Sequence, residues 1–154
     1  MRIIAPQKPL PKGLSGIYVL QDVKGHKIKP LAISVCEEID ASYSECGEGF
    51  KAADGNQALY IKDRSGEIVS FIVWTLWTLE PEEKTAWIGT AWTRADHRGK
   101  GLYRELYGAL KIVAKEHGMP SIGAGVYARN TASRAAHESF GMVPTVLYYT
   151  QVLT

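Results

Sequence analysis

Three stretches rich in β-branched and aromatic residues follow one another in the middle of the chain, and they restrict it to folds that contain a sheet. They span residues 57–63, 67–79 and 85–93, and short turns over 64–66 and 80–84 connect them. β-Branched and aromatic side chains favour strands, and strands joined by short turns pair in antiparallel fashion. The sequence therefore predicts an antiparallel meander.

A helix, a strand, a second helix and a final strand are predicted after the meander. Apolar residues recur at i, i+4, i+8 and i+11, the spacing of one helix face: Leu102, Leu106, Leu110 and Val113. Gly118 ends this helix. Residues 121–128 have the composition of a strand, 130–141 form a short helix capped by Asn130, and 144–153 form the closing strand. A meander followed by β-α-β-α-β is an α/β domain with a mixed sheet.

The first 50 residues are less regular. Residues 1–16 hold three prolines and are expected to form an extended arm. Residues 16–30 are expected to form a strand, a turn at Lys24–Gly25 and a short return strand, and residues 31–50 begin as a helix. Because no repeat or linker divides the chain, we expect residues 1–154 to form a single domain.

Composition and charge exclude several classes of protein. The formal net charge of +2 is too small for a nucleic-acid-binding surface, and no apolar run is long enough to cross a membrane. The first 13 residues are too broken by Pro and Lys for a signal peptide. Cys36 and Cys46 lack the spacing of a metal site, so we expect reduced thiols, no metal and a cytoplasmic location. The oligomeric state stays open, with a homodimer as one option.

The junction between the third strand and the next helix reads RGKGLY at residues 98–103. The first N–H groups of a helix have no intrahelical acceptor, and the helix dipole places positive partial charge there. Gly99 and Gly101 allow those donors to approach a phosphate, while Arg98 and Lys100 add formal charge. The junction is therefore either an anion-binding site or a tight solvated turn. Neither GxxxxGK[ST] nor GxGxxG is present, which argues against a Walker or a Rossmann site.

Two segments resemble the GCN5-related N-acetyltransferases, the GNAT superfamily. AWTRADHRGKGLYREL, residues 91–106, is similar to the acyl-CoA-binding segment Arg/Gln-x-x-Gly-x-Gly/Ala, with Tyr103 where Gly or Ala is usual. NTASRAAHESFGM, residues 130–142, is similar to a later helix of the family, where many members have a Tyr at the position of His137. The resemblance covers roughly residues 57–150 and implies a GNAT-like fold with splayed central strands.

The resemblance implies that acetyl-CoA binds in a V-shaped opening between strands 85–93 and 121–128. Its pantetheine arm would pair with the main chain of the first strand, as an added strand does. Its diphosphate would lie on the N–H groups at the start of the following helix. The implied cofactor-binding residues are Ala91, Trp92, Thr93, Arg98, Gly99, Lys100, Gly101, Leu102, Tyr103, Asn130, Ser133 and His137.

The implied reaction is direct attack of a primary amine on the thioester, which requires a proton for the leaving thiolate. His137 is the implied donor, and its alternative role is contact with the CoA arm. Tyrosines in predicted strands are rival donors: Tyr127, Tyr148 and Tyr149.

The general base and the acceptor site are less well defined. Of the glutamates that precede the third strand, Glu83 is the candidate base, and the alternative is a solvated turn of Glu80, Glu82 and Glu83. Tryptophans cluster on two adjacent predicted strands, and each either packs in the core or lines an acceptor pocket: Trp74, Trp77, Trp87 and Trp92. Strand alternation places Trp74 and Trp77 on opposite faces.

The sequence supports two functions from different classes. The first is an N-acetyltransferase that uses acetyl-CoA to acetylate an amine of a small molecule, peptide or protein. The second is a non-catalytic CoA-binding module that acts through protein partners. The second is motivated by the histidine at position 137 and by the absence of an obvious base.

Overall fold

A computed structural model describes residues 2–43, 56–79 and 83–145, together with 149, 151 and 153; at 39–43, 77–79 and 83 it describes the main chain only. These residues form one sheet and three α-helices. The strands are β1 Arg2–Ile4, β2 Ile17–Leu20, β3 Gln57–Lys62, β4 Ile68–Leu79, β5 Glu83–Thr93 and β6 Ser121–Ala124. The helices are α1 Ile28–Tyr43, α2 Leu102–Glu116 and α3 Thr131–Ser139.

The strands lie in the sheet in their order along the chain, from β1 to β6. Neighbours are antiparallel except β5 and β6, which are parallel because the chain returns through α2 between them. The meander of β3, β4 and β5 and the mixed sheet confirm the fold class predicted from the sequence.

Each face of the sheet packs against a helix. α2 covers one face, which we call the α2 face, and it buries all four residues of the predicted apolar stripe: Leu102, Leu106, Leu110 and Val113. α1 covers the other face, the α1 face, where Ile28 and Val35 belong to the same buried cluster as Phe71 and Val73 of β4. Near the end of β5, Ala91 packs against the first cluster and Trp92 against the second.

The N-terminal part differs from its prediction in two respects. The return strand expected before Pro30 is wrong, because α1 begins at Ile28. Pro30 lies in the first turn of that helix, where its missing N–H costs no hydrogen bond. The extended arm contains β1, and the main-chain N–H of Gln7 donates to a carboxylate oxygen of Glu105 in α2 at 2.6 Å, which holds the arm on that helix.

The C-terminal part differs in one boundary. The strand predicted over 121–128 ends at Ala124. In the closing strand predicted over 144–153, residues 144, 145, 149, 151 and 153 are described and are in no strand; the others lie outside the described residues, as do 44–50 of the early predicted helix. None of the helices that the structure describes has the length and apolar character of a membrane span.

Candidate functional site

β5 and β6 pair over only part of their length. Their parallel register begins at Thr85 with Ser121 and ends at Ile88 with Ala124. β5 continues to Thr93, whereas β6 stops, so that beyond Ile88 the edge of β5 that faces away from β4 has no partner in the described part of the chain. The pairing of the two strands therefore ends partway along β5, as the resemblance implies for the splayed central pair.

A β-bulge lies where the opening begins. Val73 of β4 pairs with Thr90 and the next residue, Trp74, pairs with Ile88, so Gly89 is an extra residue on β5. A bulge of this kind bends the strand that carries it. The part of β5 after Gly89 therefore runs in a different direction from the part before it.

The bulge also shifts the alternation of side chains along β5. Ala86 and Ile88 pack in the α2-face cluster, so Trp87 between them points to the α1 face. Trp92 packs against the α1-face cluster, with its ring 5.7 Å from that of Phe71. Both tryptophans of β5 therefore lie on the α1 face, beside the opening.

The hydrogen bonds between β4 and β5 determine which main-chain N–H and C=O groups of β5 face the opening. The N–H of Arg94 donates to the carbonyl of Val69 at 2.8 Å, so the main-chain polar groups of Arg94 point towards β4. Because antiparallel pairs alternate, the polar groups of Trp92 also face β4, while those of Thr93 and Ala91 face the opening. The carbonyl of Thr93 accepts a bond from Arg98 Nε at 2.8 Å, consistent with this orientation.

The junction after β5 presents a run of main-chain donors. Gly99 and Gly101 have φ of 74° and 78°, in the left-handed region that favours glycine, and Gly101 caps α2. Among the described residues, none accepts a hydrogen bond from the N–H groups of residues 99–104. The N–H of Arg98 donates to Ala95 instead, so the run begins and ends one residue later than the predicted 98–103. Successive N–H groups in such a turn form an anion-binding concavity.

Charged side chains next to this junction form hydrogen bonds with one another and with its main chain. Arg94 donates to both carboxylate oxygens of Asp96, at 2.7 and 3.0 Å, and His97 Nδ1 lies 2.9 Å from the same group. These hydrogen bonds, chiefly that from Arg94, hold the pKa of Asp96 far below its usual range. Lys100 Nζ donates to the carbonyl of Asp96 at 3.2 Å. The carboxylate next to the donors is thus already paired with the guanidinium of Arg94.

A recess of about 310 Å³ opens between the junction, the end of β5 and α3. The predicted cofactor-binding residues on its wall are Thr93, Arg98, Gly99, Gly101, Leu102 and Tyr103, and His97 lies beside them. Arg104, Ala136, Ser139 and Phe140 also line it and were not predicted. The last three recur at the three- and four-residue spacing of one face of α3, which is the signal that would have found them.

Tyr103 and His137 join α2 to α3. The Tyr103 hydroxyl lies 2.8 Å from Nε2 of His137, while Nδ1 lies 2.7 Å from the carbonyl oxygen of Ser133 and 3.3 Å from its hydroxyl. A carbonyl only accepts, so Nδ1 carries a proton and Nε2 accepts from the tyrosine when the imidazole is neutral. The Tyr103 ring packs 5.4 Å from Phe140, and burial raises its pKa well above the ordinary value.

The other predicted residues take varied positions. Asn130 caps α3 as predicted, with its side-chain oxygen accepting from the Ser133 N–H at 3.1 Å. Tyr127 is half-buried just after β6, and Tyr149 is 89% exposed.

Glu83 stands at the opposite end of β5 from the junction, about 16 Å of strand before Ile88. The side chain of Glu83, and with it the choice between a base and a solvated turn, lies outside the described residues. The side chains or whole residues that lie outside the description are Cys46, Trp77, Glu80, Glu82, Glu83 and Tyr148.

Two residues that the sequence analysis singled out do not line the recess. Trp74 is buried in the α2-face cluster. Cys36 is buried as a free thiol, with Sγ 3.3 Å from Thr90 Oγ1. Within the described part of the chain, no three His, Cys, Asp or Glu side chains converge as a metal site requires.

Solved structures with the same architecture include acetyltransferases of several kinds. An aminoglycoside acetyltransferase from an uncultured soil metagenomic sample is 18% identical, with a TM-score of 0.66 over 92% of this chain and 99% of that one. A ribosomal-protein-alanine N-acetyltransferase from Brucella melitensis is 20% identical, with a TM-score of 0.63 over 92% and 99%. The aminoglycoside N-acetyltransferase AAC(6')-Iy in complex with CoA is 15% identical, with a TM-score of 0.65 over 93% and 99%. At these identities the likeness establishes the fold.

No protein of curated function matches this sequence. The sequence model of the acetyltransferase (GNAT) family matches residues 31–142, a span that includes the junction, the recess and both resembling segments. The chain therefore belongs to the GNAT family of acetyltransferases.

Proposed function

We propose that the protein transfers an acetyl group from acetyl-CoA to a primary amine by direct attack of the amine on the thioester. Family membership supports acetyl transfer in general. The observation that carries the specific proposal is the run of unpartnered donors at 99–104, which lies beside both the recess and the open edge of β5. A diphosphate and an extended chain with amide groups match these two features.

The junction would hold the diphosphate. N–H groups at a helix start and the helix dipole favour an anion there, and Arg98 keeps terminal guanidinium donors without a partner among the described residues. Since Arg98 Nε is tied to Thr93, the cation stands at the point where β5 meets the recess. Gly99, Lys100 and Gly101 are exposed.

The open edge of β5 would hold the pantetheine arm. The amide groups of that arm would pair with the exposed main chain of Ala91 and Thr93. Trp92, whose main chain faces β4, would contribute its side chain to the α1 face instead. Asn130 and Ser133, at the start of α3, would flank the arm on the other side.

The acceptor amine would approach from the α1 face, where Trp87 and Trp92 lie beside the opening. Large aromatic faces attract cationic and apolar groups. The acceptor class is a small molecule, a peptide or a protein that carries a primary amine. A cytoplasmic location and a single domain stay predictions.

A non-catalytic CoA-binding module is the second candidate. It is favoured by the distance of the Glu83 main chain from the opening, which leaves the amine without an evident base among the described residues. The two candidates share the cofactor site and differ only in turnover.

A panel of metabolite, peptide and protein amines incubated with acetyl-CoA carrying a labelled acetyl group would test the proposal. We expect at least one labelled amide and stoichiometric release of free CoA thiol. Acetyl-CoA binding with no labelled product on any amine would support the module. Failure to bind acetyl-CoA at all would refute both.

A further inference from the structure

We propose that Arg104 binds the 3′-phosphate of acetyl-CoA, so that the site distinguishes acetyl-CoA from its 3′-dephospho form. The 3′-phosphate is carried by the ribose and is separate from the diphosphate that joins pantetheine to adenosine. This inference rests on the proposed function, and it adds a specificity-determining residue to the cofactor site.

The charges around the recess support a second phosphate group. Two arginines line it, Arg98 and Arg104, and none of the lining residues is an Asp or a Glu. In the described part of the chain neither of these arginines pairs with a carboxylate, whereas Arg94 pairs with Asp96 at 2.7 Å. The proposed function uses Arg98 and the N–H groups at the start of α2 for the diphosphate. The positive charge of Arg104 therefore stands in the recess without an assigned ligand.

The guanidinium of Arg104 is held in a fixed orientation by α3. Its Nη2 donates to the hydroxyl of Ser139 at 2.9 Å, and that hydroxyl in turn donates to the carbonyl of Ala136 at 2.6 Å. Its Cζ lies 5.1 Å from the centre of the Phe140 ring, within the range of a cation–π contact. Nε and Nη1 of Arg104 donate to no acceptor among the described residues. An oriented guanidinium with donors to spare is well suited to a phosphate.

The two arginines stand on different walls of the recess. Arg98 is tied to Thr93 at the end of β5, whereas Arg104 is tied to Ser139 at the end of α3. The pantetheine arm would leave the diphosphate along β5 and pass the start of α3. The adenosine would then leave the diphosphate on the other side, where Arg104 lies. The wall formed by Arg104 and the end of α3 is thus available to the ribose and its phosphate.

Calorimetric titration with acetyl-CoA and with 3′-dephospho-acetyl-CoA would test the assignment on the wild type and three variants. Arg104→Gln removes the charge and keeps a long polar side chain that suits a helix. Arg98→Gln removes the cation assigned to the diphosphate. Arg134→Gln is the matched control, because Arg134 is an exposed arginine of α3 that does not line the recess. Melting temperatures would establish that all three variants fold.

We expect the wild type to bind acetyl-CoA about 10-fold more tightly than the dephospho form, because a charged hydrogen bond at an exposed site contributes at the lower end of its range. Arg104→Gln should bind both forms with the affinity that the wild type has for the dephospho form. Arg98→Gln should weaken both forms by the same factor, and Arg134→Gln should match the wild type.

Two results would overturn the inference and leave the proposed function intact. The first is a wild type that binds both forms equally. The second is an Arg104→Gln variant that still discriminates between them, or that loses affinity for both by the same factor, since Arg104 would then act on no ribose phosphate. A wild-type protein that binds neither form would overturn the proposed function as well.

Discussion

Replacing Gly101 by alanine separates the cost of backbone strain from the loss of an anion site. Gly101 has φ of 78°, and a Cβ built there meets no described atom within 4 Å. An L-residue in this conformation costs about 1–2 kcal/mol, which corresponds to a fall in Tm of about 2–8 °C for a chain of this size. Strain is therefore the only effect that the protein itself imposes.

A bound diphosphate would add a second effect. A methyl group at Gly101 would stand in front of the adjacent N–H donors, and a hydrogen bond to a charged group contributes about 1.5–3 kcal/mol. The loss of one such bond corresponds to a Kd for acetyl-CoA about 10- to 150-fold higher. Gly118 supplies the matched control, since it has φ of 70° and equally open space at the other end of α2.

The measurements are thermal unfolding and calorimetric titration with acetyl-CoA of the wild type, Gly101→Ala and Gly118→Ala. We expect both variants to lose similar Tm, and only Gly101→Ala to lose affinity. If Gly101→Ala bound acetyl-CoA as tightly as Gly118→Ala, the junction would not be the diphosphate site.

Three further outcomes test the packing and the charges around the site by thermal unfolding. Gly123→Ala should cost about 1–3 kcal/mol, because its Cβ would lie 2.8 Å from the ring of Trp87, whereas Gly125→Ala, at 3.6 Å, should be nearly neutral. Leu110→Ala should cost about 2–5 kcal/mol, since a fully buried side chain leaves a cavity. Asp96→Asn should lower Tm at neutral pH, and the difference should vanish at acid pH: a carboxylate whose pKa is lowered by folding stabilises above its usual value of 3.8 and loses that contribution as pH falls.

Local patterns in the sequence predict most of the fold. The hairpin of β3 and β4 follows from composition and a three-residue turn, and α2 follows from the spacing of its apolar stripe. Pro30 shows where such reasoning fails, because proline both breaks a strand and suits the first turn of a helix. β1 was missed for a related reason, since a three-residue strand carries too few residues for a pattern.

The site is predicted less completely than the fold, because its decisive contacts join distant residues. The glycines and cations of the junction are adjacent in sequence and can be read there. The pairing of Tyr103 with His137 spans 34 residues and depends on how α2 and α3 pack. Likewise, Arg98 can be predicted as a cation near phosphate, but its bond to Thr93 depends on the path of the turn.

Gly89 explains why the tryptophans could not be assigned from alternation alone. Trp92 lies five positions after Trp87, and in a regular strand an odd offset places two side chains on opposite faces. The one inserted residue, Gly89, places both tryptophan side chains on the same face. At the same point it bends β5 out of its pairing with β6. A glycine occurs within a strand for several reasons, including close packing of another backbone, so its presence in the sequence does not by itself predict a bulge. The aromatic face and the open edge of the candidate site thus share one origin, which only the register between β4 and β5 makes visible.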